Sequence, residues 1–218
     1  MSKNVMILPL INGMTGKVMD IPLSRDRFDH IDLKLTMPSM RFKEMDGWSI
    51  LDAIVPIILF FRPYCVVEIG AGKSTEHLAK MAEAYGVTFY SCDKAPIKNV
   101  KLFEDHVFIQ KFSHDFIDEF DDTPAVVLID ADHKYEVAKM EFEFFFKILV
   151  PGGVIFLHDT MPPSEEFLTE EGCDDVYRLR QELEKRPDLD CFTWPYTAQY
   201  MGLTMVIKKE TDRPYWEE

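Results

Sequence analysis

The sequence predicts an α/β fold, a doubly wound, mainly parallel seven-stranded sheet with an antiparallel last strand. Three observations point to it. Short apolar runs alternate with stretches of helical periodicity from about residue 47 onward. A glycine-rich turn, Gly70-Ala71-Gly72, follows the first of those runs. Polar residues (Glu68, Asp93, Ser113, Asp130, Asp159) fall at the carboxyl ends of successive predicted strands, the edge where open α/β sheets bind ligands.

Each element has a local reason. Residues 1 to about 45 are Met-rich and read as irregular, with Pro9, Pro22 and Pro38 interrupting any pattern. Residues 47 to 62 read as a helix; its run Ile50 to Phe61 holds Asp52 and Pro56 and is too short to span a bilayer. Cys65, Val66, Val67 and Ile69 make a buried strand, and Ser74 or Thr75 is expected to cap the helix that runs to Tyr85 and stops at Gly86. Val87 to Cys92, His106 to Phe112, Ala125 to Ile129 and Val154 to Leu157 supply four more strands. Lys134 to Leu149 is helical, and Pro151-Gly152-Gly153 turns the chain back into the sheet. Asp175 to Lys185 is a further helix, and Cys191 to Tyr196 with Leu203 to Lys208 form a closing hairpin-like pair.

Composition narrows the function. The chain has 218 residues, 47% of them hydrophobic, enough for one α/β domain with a real core and an N-terminal elaboration. A formal net charge of -14 with no basic stripe argues against nucleic-acid binding. The four cysteines (Cys65, Cys92, Cys173, Cys191) form no CxxC pair, so neither zinc spacing nor a disulfide framework is indicated. Met1 to Met14 lacks the features of a cleavable signal, and a cytoplasmic location is expected.

The glycine turn excludes two phosphate-binding readings. A Walker A loop needs glycine where Val67 stands, and a dinucleotide fingerprint needs Gly or Ala where Thr75 stands. Glu68 suits a cationic ligand instead, and the sulfonium and ammonium groups of S-adenosylmethionine fit that requirement.

Four segments carry a family resemblance: Val66 to Thr75, Tyr90 to Asp93, Val127 to Glu136 (with Ile-Asp-Ala-Asp-His-Lys-Tyr), and Val150 to Thr160 (Pro-Gly-Gly followed by His-Asp-Thr). Over roughly residues 60 to 208 the chain resembles class I S-adenosylmethionine-dependent methyltransferases with a Rossmann-like fold. It is most similar to the macrocin O-methyltransferase type (methyltransferase domain 24) and more distantly to catechol O-methyltransferase. The resemblance implies a cofactor cradle of Glu68, Gly70, Ala71, Gly72 and Ser74. Asp93 would take the ribose hydroxyls, Ser113 would lie beside the adenine, and Asp130 would close the site. It also divides the chain into an N-terminal elaboration or substrate lid (1–46), an S-adenosylmethionine-binding domain (47–210) and a C-terminal tail (211–218).

Metal-dependent members of that family bind a divalent cation from the two strand ends that here carry Asp130 and Asp159. The expected set is Asp130, Asp159 and His158, holding Mg²⁺ or Mn²⁺; an imidazole donor favours Mn²⁺, Fe²⁺ or Zn²⁺ over Mg²⁺. His133 is the expected general base and a catalytic residue together with Asp130. Both assignments have a structural alternative, in which Asp130 and His158 cap strand ends and His133 bonds to backbone. Met37, Met40, Met45 and Trp48 fit a lid or a core equally. The acidic loop Met161 to Cys173 disfavours anionic acceptors, and Trp194, Tyr196 and Tyr200 fit a stacking surface. The leading expectation is an O-methyltransferase for a small-molecule hydroxyl (natural product, sugar or catechol-like). A metal-independent methyltransferase, a non-catalytic cofactor-binding protein and a related-fold hydroxylase are the alternatives. The expected partner is a small-molecule substrate, with neither nucleic acid nor membrane; homo-oligomerisation stays open.

Overall fold

The structure, a computed structural model, describes residues 6–11, 18–23, 47–97, 104–169, 172–194 and 201–209. The chain divides into two compact units, Met1–Glu44 and Met45–Glu218. In the first, β1 (Met6–Ile11) pairs antiparallel with β2 (Val18–Leu23), Ile7 opposite Pro22 and Pro9 opposite Asp20. This corrects the irregular reading of residues 1 to 45. Proline interrupts a ladder only where its missing N–H is needed, and in a two-stranded ribbon each strand has an edge that asks for no donor.

The second unit is built on seven strands. They are β3 (Cys65–Ile69), β4 (Phe89–Asp93), β5 (His106–Gln110), β6 (Pro124–Ile129), β7 (Val154–His158), β8 (Leu189–Trp194) and β9 (Leu203–Lys208). Their order is β5-β4-β3-β6-β7-β9-β8, parallel as far as β7. The last strand, β9, inserts antiparallel between β7 and β8. The helices are α1 (Gly47–Phe61), α2 (Lys73–Tyr85), α3 (Ser113–Glu119), α4 (Tyr135–Ile148) and α5 (Tyr177–Leu183). Among the described residues no helix is long and apolar enough to cross a membrane.

All five residues of β3 and all six of β6 are buried, as a central parallel strand covered on both faces requires. The period of two sorts their side chains into two cores. Val66, Val126, Leu128 and Phe156 pack with Leu51, Val55 and Leu59 of α1 and Leu78 and Ala82 of α2. Val67, Ile69, Val127, Ile129, Ile155 and Leu157 pack on the other face with Phe116 of α3, Leu179 of α5 and the α4 residues Ala138, Phe142 and Phe145. The α4 spacing of four and three residues is the stripe that turns a helix face toward a sheet.

The element boundaries differ from expectation in instructive places. Strand β5 ends at Gln110, and Ser113 to Glu119 forms a helix the sequence did not announce, too short to show a periodic signal. Helix α2 begins at Lys73, so Ser74 and Thr75 lie inside it; the cap is Gly72, whose N–H donates to Thr75 Oγ1 at 2.8 Å. Gly86 ends α2 in the left-handed conformation at φ 63°.

Phe142 is fully buried and stacks on Phe146 with ring centroids 5.3 Å apart. Phe142→Ala is expected to cost about 3–5 kcal/mol of unfolding free energy through lost transfer energy and the cavity left behind. Denaturant unfolding measures it; a loss under about 1 kcal/mol would show that the core can collapse around the vacancy.

Candidate active site

The site forms where β3, β4, β6 and β7 end side by side. At Ile69-Gly70 the backbone is tied to both neighbours: Gly70 N–H donates to Cys92 O at 2.8 Å, and Asp130 N–H donates to Ile69 O at 2.8 Å. Gly70 has φ +94°, and a Cβ there would stand 2.1 Å from the Asp130 carbonyl oxygen. Only glycine serves at this crossing.

A cavity of about 260 Å³ opens over this edge. Gly70, Ala71 and Gly72 form one wall and Asp93 and Lys94 the next. Phe112 to His114 and Asp130 to Asp132 complete the rim. The expected cofactor residues Gly70, Ala71, Gly72, Asp93, Ser113 and Asp130 therefore share one space. One Asp93 oxygen accepts the Ala95 N–H at 2.7 Å, which holds the side chain in a tight turn. The stacked pair Phe112 and His114 (centroids 5.6 Å), on either side of Ser113, also line the cavity, as do Lys94 and Lys111. Only the two lysines were not anticipated, and their sole sequence signal is adjacency to Asp93 and Phe112.

Glu68 and Ser74 stand elsewhere. The Glu68 side chain is fully buried, and its carboxyl oxygens are taken by the Ser74 hydroxyl and by the Thr75 hydroxyl at 2.6 Å. Neither Glu68 nor Ser74 reaches the cavity wall; the pair braces the glycine turn from behind. Burial outweighs those two hydrogen bonds and pushes the Glu68 carboxyl up to about 8.

Strands β6 and β7 are neighbours, with Ile129 opposite Leu157, so the chain brings Asp130, Asp159 and His158 together across 29 residues of sequence. His158 Nδ1 lies 3.1 Å from Asp130 Oδ1 and 3.0 Å from Asp159 Oδ1. His133 Nε2 lies 3.5 Å from Asp130 Oδ1 and 3.6 Å from Asp159 Oδ2. Asp130, His133 and Asp159 each bring a donor atom within 4.8 Å of the other two, a spacing suited to a metal ion. His158 is the inner histidine, its side chain 8% exposed; His133, at 22%, faces outward. Asp159 adopts φ 56°, a left-handed conformation that Asp tolerates better than most residues.

Charge is concentrated here. Burial opposes ionisation of His158, but the Asp130 and Asp159 carboxylates outweigh it and push the imidazole up to about 10. The same balance raises His133, where burial is overcome by hydrogen bonds to Asp130 and the Gly172 carbonyl and by the Asp159 charge. Asp130, despite burial, is held below the usual carboxylate range by His158 and His133. His114 lines the cavity, whereas His106 and His77 stand apart: His106 Nε2 lies 2.7 Å from Ser91 Oγ in the core, and His77 pairs with Asp52 at 3.0 Å on the surface. Met37, Met40, Tyr196 and Tyr200 lie outside the described residues, as do residues 211–218 and the side chain of Trp48.

Two predictions follow from the turn. Gly70→Ala is expected to destabilise the fold by about 3 kcal/mol or more, since both φ and the Asp130 carbonyl reject a Cβ; an unchanged melting temperature would show that this crossing can relax. Glu68 titrates at 4.5 when unfolded and at about 8 when folded, so its contribution to stability is full below 4.5 and is lost as pH rises through about 8. Glu68→Gln should remove that slope, up to about 1.4 kcal/mol per pH unit. Denaturant midpoints measured across this range check it, and equal slopes in the two proteins would contradict the assignment.

Comparison with known proteins agrees with the geometry. Residues 67–160 match a family model described as a methyltransferase domain. No curated protein matches the chain. Among solved structures, the cofactor-bound Rv0187 protein from MTB superposes with a TM-score of 0.61 at 18% identity, over 78% of this chain and 84% of that one. The SAH-bound methyltransferase PaMTH1 of Podospora anserina gives 0.58 at 13% identity, over 87% and 98%. The O-methyltransferase from Bacillus cereus in complex with SAH gives 0.54 at 15%, over 84% and 90%. Residues 67–160 match a methyltransferase domain, and the seven-stranded sheet that carries them has the class I methyltransferase fold.

Proposed function

We propose that this protein transfers the methyl group of S-adenosylmethionine to a hydroxyl of a small molecule. The observation that carries the reading is one continuous cavity. It begins at the Gly70–Gly72 turn, passes Asp93 and ends at Asp130 to Asp132, next to the outward-facing His133. The Asp93 carboxylate suits two adjacent ribose hydroxyls, because its oxygens only accept. Phe112, Ser113 and Val137 offer the apolar and polar surfaces an adenine ring needs. The methyl-bearing end of the cofactor then points to the histidine and carboxylates.

The chemistry is an in-line displacement. The acceptor hydroxyl gives its proton to His133 Nε2 while its oxygen bonds to the methyl carbon and the carbon–sulfur bond breaks. The sulfonium charge is quenched, S-adenosylhomocysteine leaves as a thioether, and the new imidazolium lies beside Asp130 and Asp159. The carboxylates of Asp130 and Asp159 raise the affinity of His133 for a proton, which makes its neutral ring the stronger base and shrinks the fraction of the ring that is neutral. Most of the acceleration would come from holding oxygen, methyl carbon and sulfur in line.

The donor set also fits a divalent cation. Asp130, Asp159 and the inner His158, whose Nδ1 lies within 3.1 Å of both carboxylates, would hold Mg²⁺ or Mn²⁺, with the imidazole favouring Mn²⁺. When bound, such an ion lowers the pKa of the acceptor hydroxyl. His133 closing the group in place of His158 is the second reading, favoured by its Nε2 lying 3.5 Å from Asp130 and 3.6 Å from Asp159.

Calorimetric titration with S-adenosylhomocysteine tests the cofactor. Asp93→Ala should weaken binding roughly 10–100-fold, the loss of one or two hydrogen bonds to a charged group; equal affinity would remove Asp93 from the site. With catechol as a probe acceptor, His133→Ala should slow methyl transfer about 10²–10⁴-fold while leaving S-adenosylhomocysteine affinity intact. Mn²⁺ titration of chelator-treated protein separates the ligand readings. Loss of binding in His158→Ala but not in His133→Ala supports the inner set, the reverse supports His133, and no binding to the parent protein leaves a metal-independent transferase.

A further inference from the structure

His133 is held from an unexpected direction. Its Nδ1 lies 2.7 Å from the carbonyl oxygen of Gly172, 39 residues away. A carbonyl oxygen can only accept, so Nδ1 carries the proton and Nε2, the nitrogen facing Asp130 and Asp159, keeps its lone pair in the neutral ring. Gly172 is itself wedged: a Cβ there would stand 2.3 Å from the Phe167 oxygen, and the neighbouring Cys173 donates its N–H to that same oxygen at 3.0 Å.

The segment beyond Gly172 grips the helix that follows His133. Helix α4 has no side-chain cap from its own residue Lys134. Asp175 supplies one from outside: its Oδ1 accepts the N–H of Tyr135, two residues after His133, at 2.6 Å. Arg178 donates to the other Asp175 oxygen at 2.7 Å and lies over the Tyr135 ring at 4.6 Å from its centroid. The Tyr135 hydroxyl donates to Glu182, which also takes Lys139 Nζ at 2.8 Å. The same stretch touches the other half of the site, since Arg180 Nε donates to the carbonyl of Thr160, next to Asp159, at 3.0 Å.

We propose that the segment Gly172 to Arg180 is a positioning device for the reacting histidine. The Gly172 carbonyl fixes the His133 tautomer, Asp175 fixes the helix start that carries it, and Arg180 sets the distance to the strand end bearing Asp159. A histidine that gives one N–H to a fixed carbonyl presents its other nitrogen in a set direction, which is how imidazoles are aimed in many sites. Asp175 is thus a positioning residue acting through Tyr135 N–H; it does not line the cofactor cavity. The proposal rests on the role given to His133 under Proposed function, and its test is independent of turnover.

The experiment is NMR of the imidazole nitrogens in histidine-labelled full-length protein, at a pH where His133 is neutral, with calorimetric binding of S-adenosylhomocysteine alongside. The expected parent spectrum shows a protonated Nδ1 and an unprotonated Nε2 for His133. Asp175→Ala should move both signals toward the average of a mixed tautomer population, and Asp175→Asn, whose amide oxygen still accepts the Tyr135 N–H, should restore the parent pattern. S-adenosylhomocysteine affinity should stay within about twofold in both variants. A parent His133 protonated on Nε2, or an Asp175→Ala spectrum identical to the parent, overturns the proposal. If Asp175→Ala fails to fold, the parent tautomer and the Asp175→Asn spectrum still decide it. A protein that shows the expected spectra yet binds no S-adenosylhomocysteine refutes the transferase reading and leaves the positioning device standing.

Discussion

The crossing of backbones at Gly70 is the constraint on which the rest of the site depends. In a parallel sheet the strand ends lie close enough to share hydrogen bonds, and here Ile69-Gly70 is bonded to Cys92 on one side and Asp130 on the other. Those two contacts set where Asp93 and Asp130 emerge. They also bring the Asp130 carbonyl so near that no side chain fits at residue 70. The floor of the cavity and the spacing of the acids along its rim are therefore one geometric fact. The turn is then stiffened from below by a buried acid, Glu68, bonded to two hydroxyls of the helix it precedes.

Above that floor, electrostatics separates two kinds of carboxylate. Burial pushes Glu68 and Glu141 up, to about 8 and about 7, and the Glu68 carboxyl serves near neutrality as a hydrogen-bonding group for Ser74 and Thr75. Asp130 is also shielded from water, yet two imidazoles hold it ionised. The difference arises from β7, which delivers His158 beside both aspartates, and from α4, which begins with His133. A molecule carrying a formal charge of -14 thus gathers two imidazoles against two carboxylates at one strand edge.

Much of this was legible in the sequence, for identifiable reasons. The strands of the sheet are short apolar runs whose ends carry polar residues, and both the period of two and the glycine turn survive folding unchanged. The convergence of Asp130, His158 and Asp159 followed from topology, because adjacent parallel strands end on one edge. What escaped depends on long-range backbone contacts. The role of Glu68 turned on whether its carboxyl faced the ligand or the helix, and composition cannot distinguish the two. The grip of Gly172 on His133 and the cap that Asp175 places on α4 join segments about 40 residues apart through a carbonyl and an N–H, groups every residue has. Helix α3 has only seven residues, below the length at which periodicity speaks.

The placement of β9 has a consequence for how the chain acquires its shape. Strand β8 is made before β9, yet among the described strands it pairs only with β9, while β9 also completes the open side of β7. During synthesis β7 and β8 must therefore wait, each with an uncovered ladder, until residues 203–208 have left the ribosome. Asp159 lies at the end of that waiting strand, and the Met201 N–H just ahead of β9 donates to its carboxylate at 3.3 Å. The acidic half of the site is thus among the last parts to settle, and nascent chains cut short within β9 would expose a strand edge prone to pairing with a neighbour.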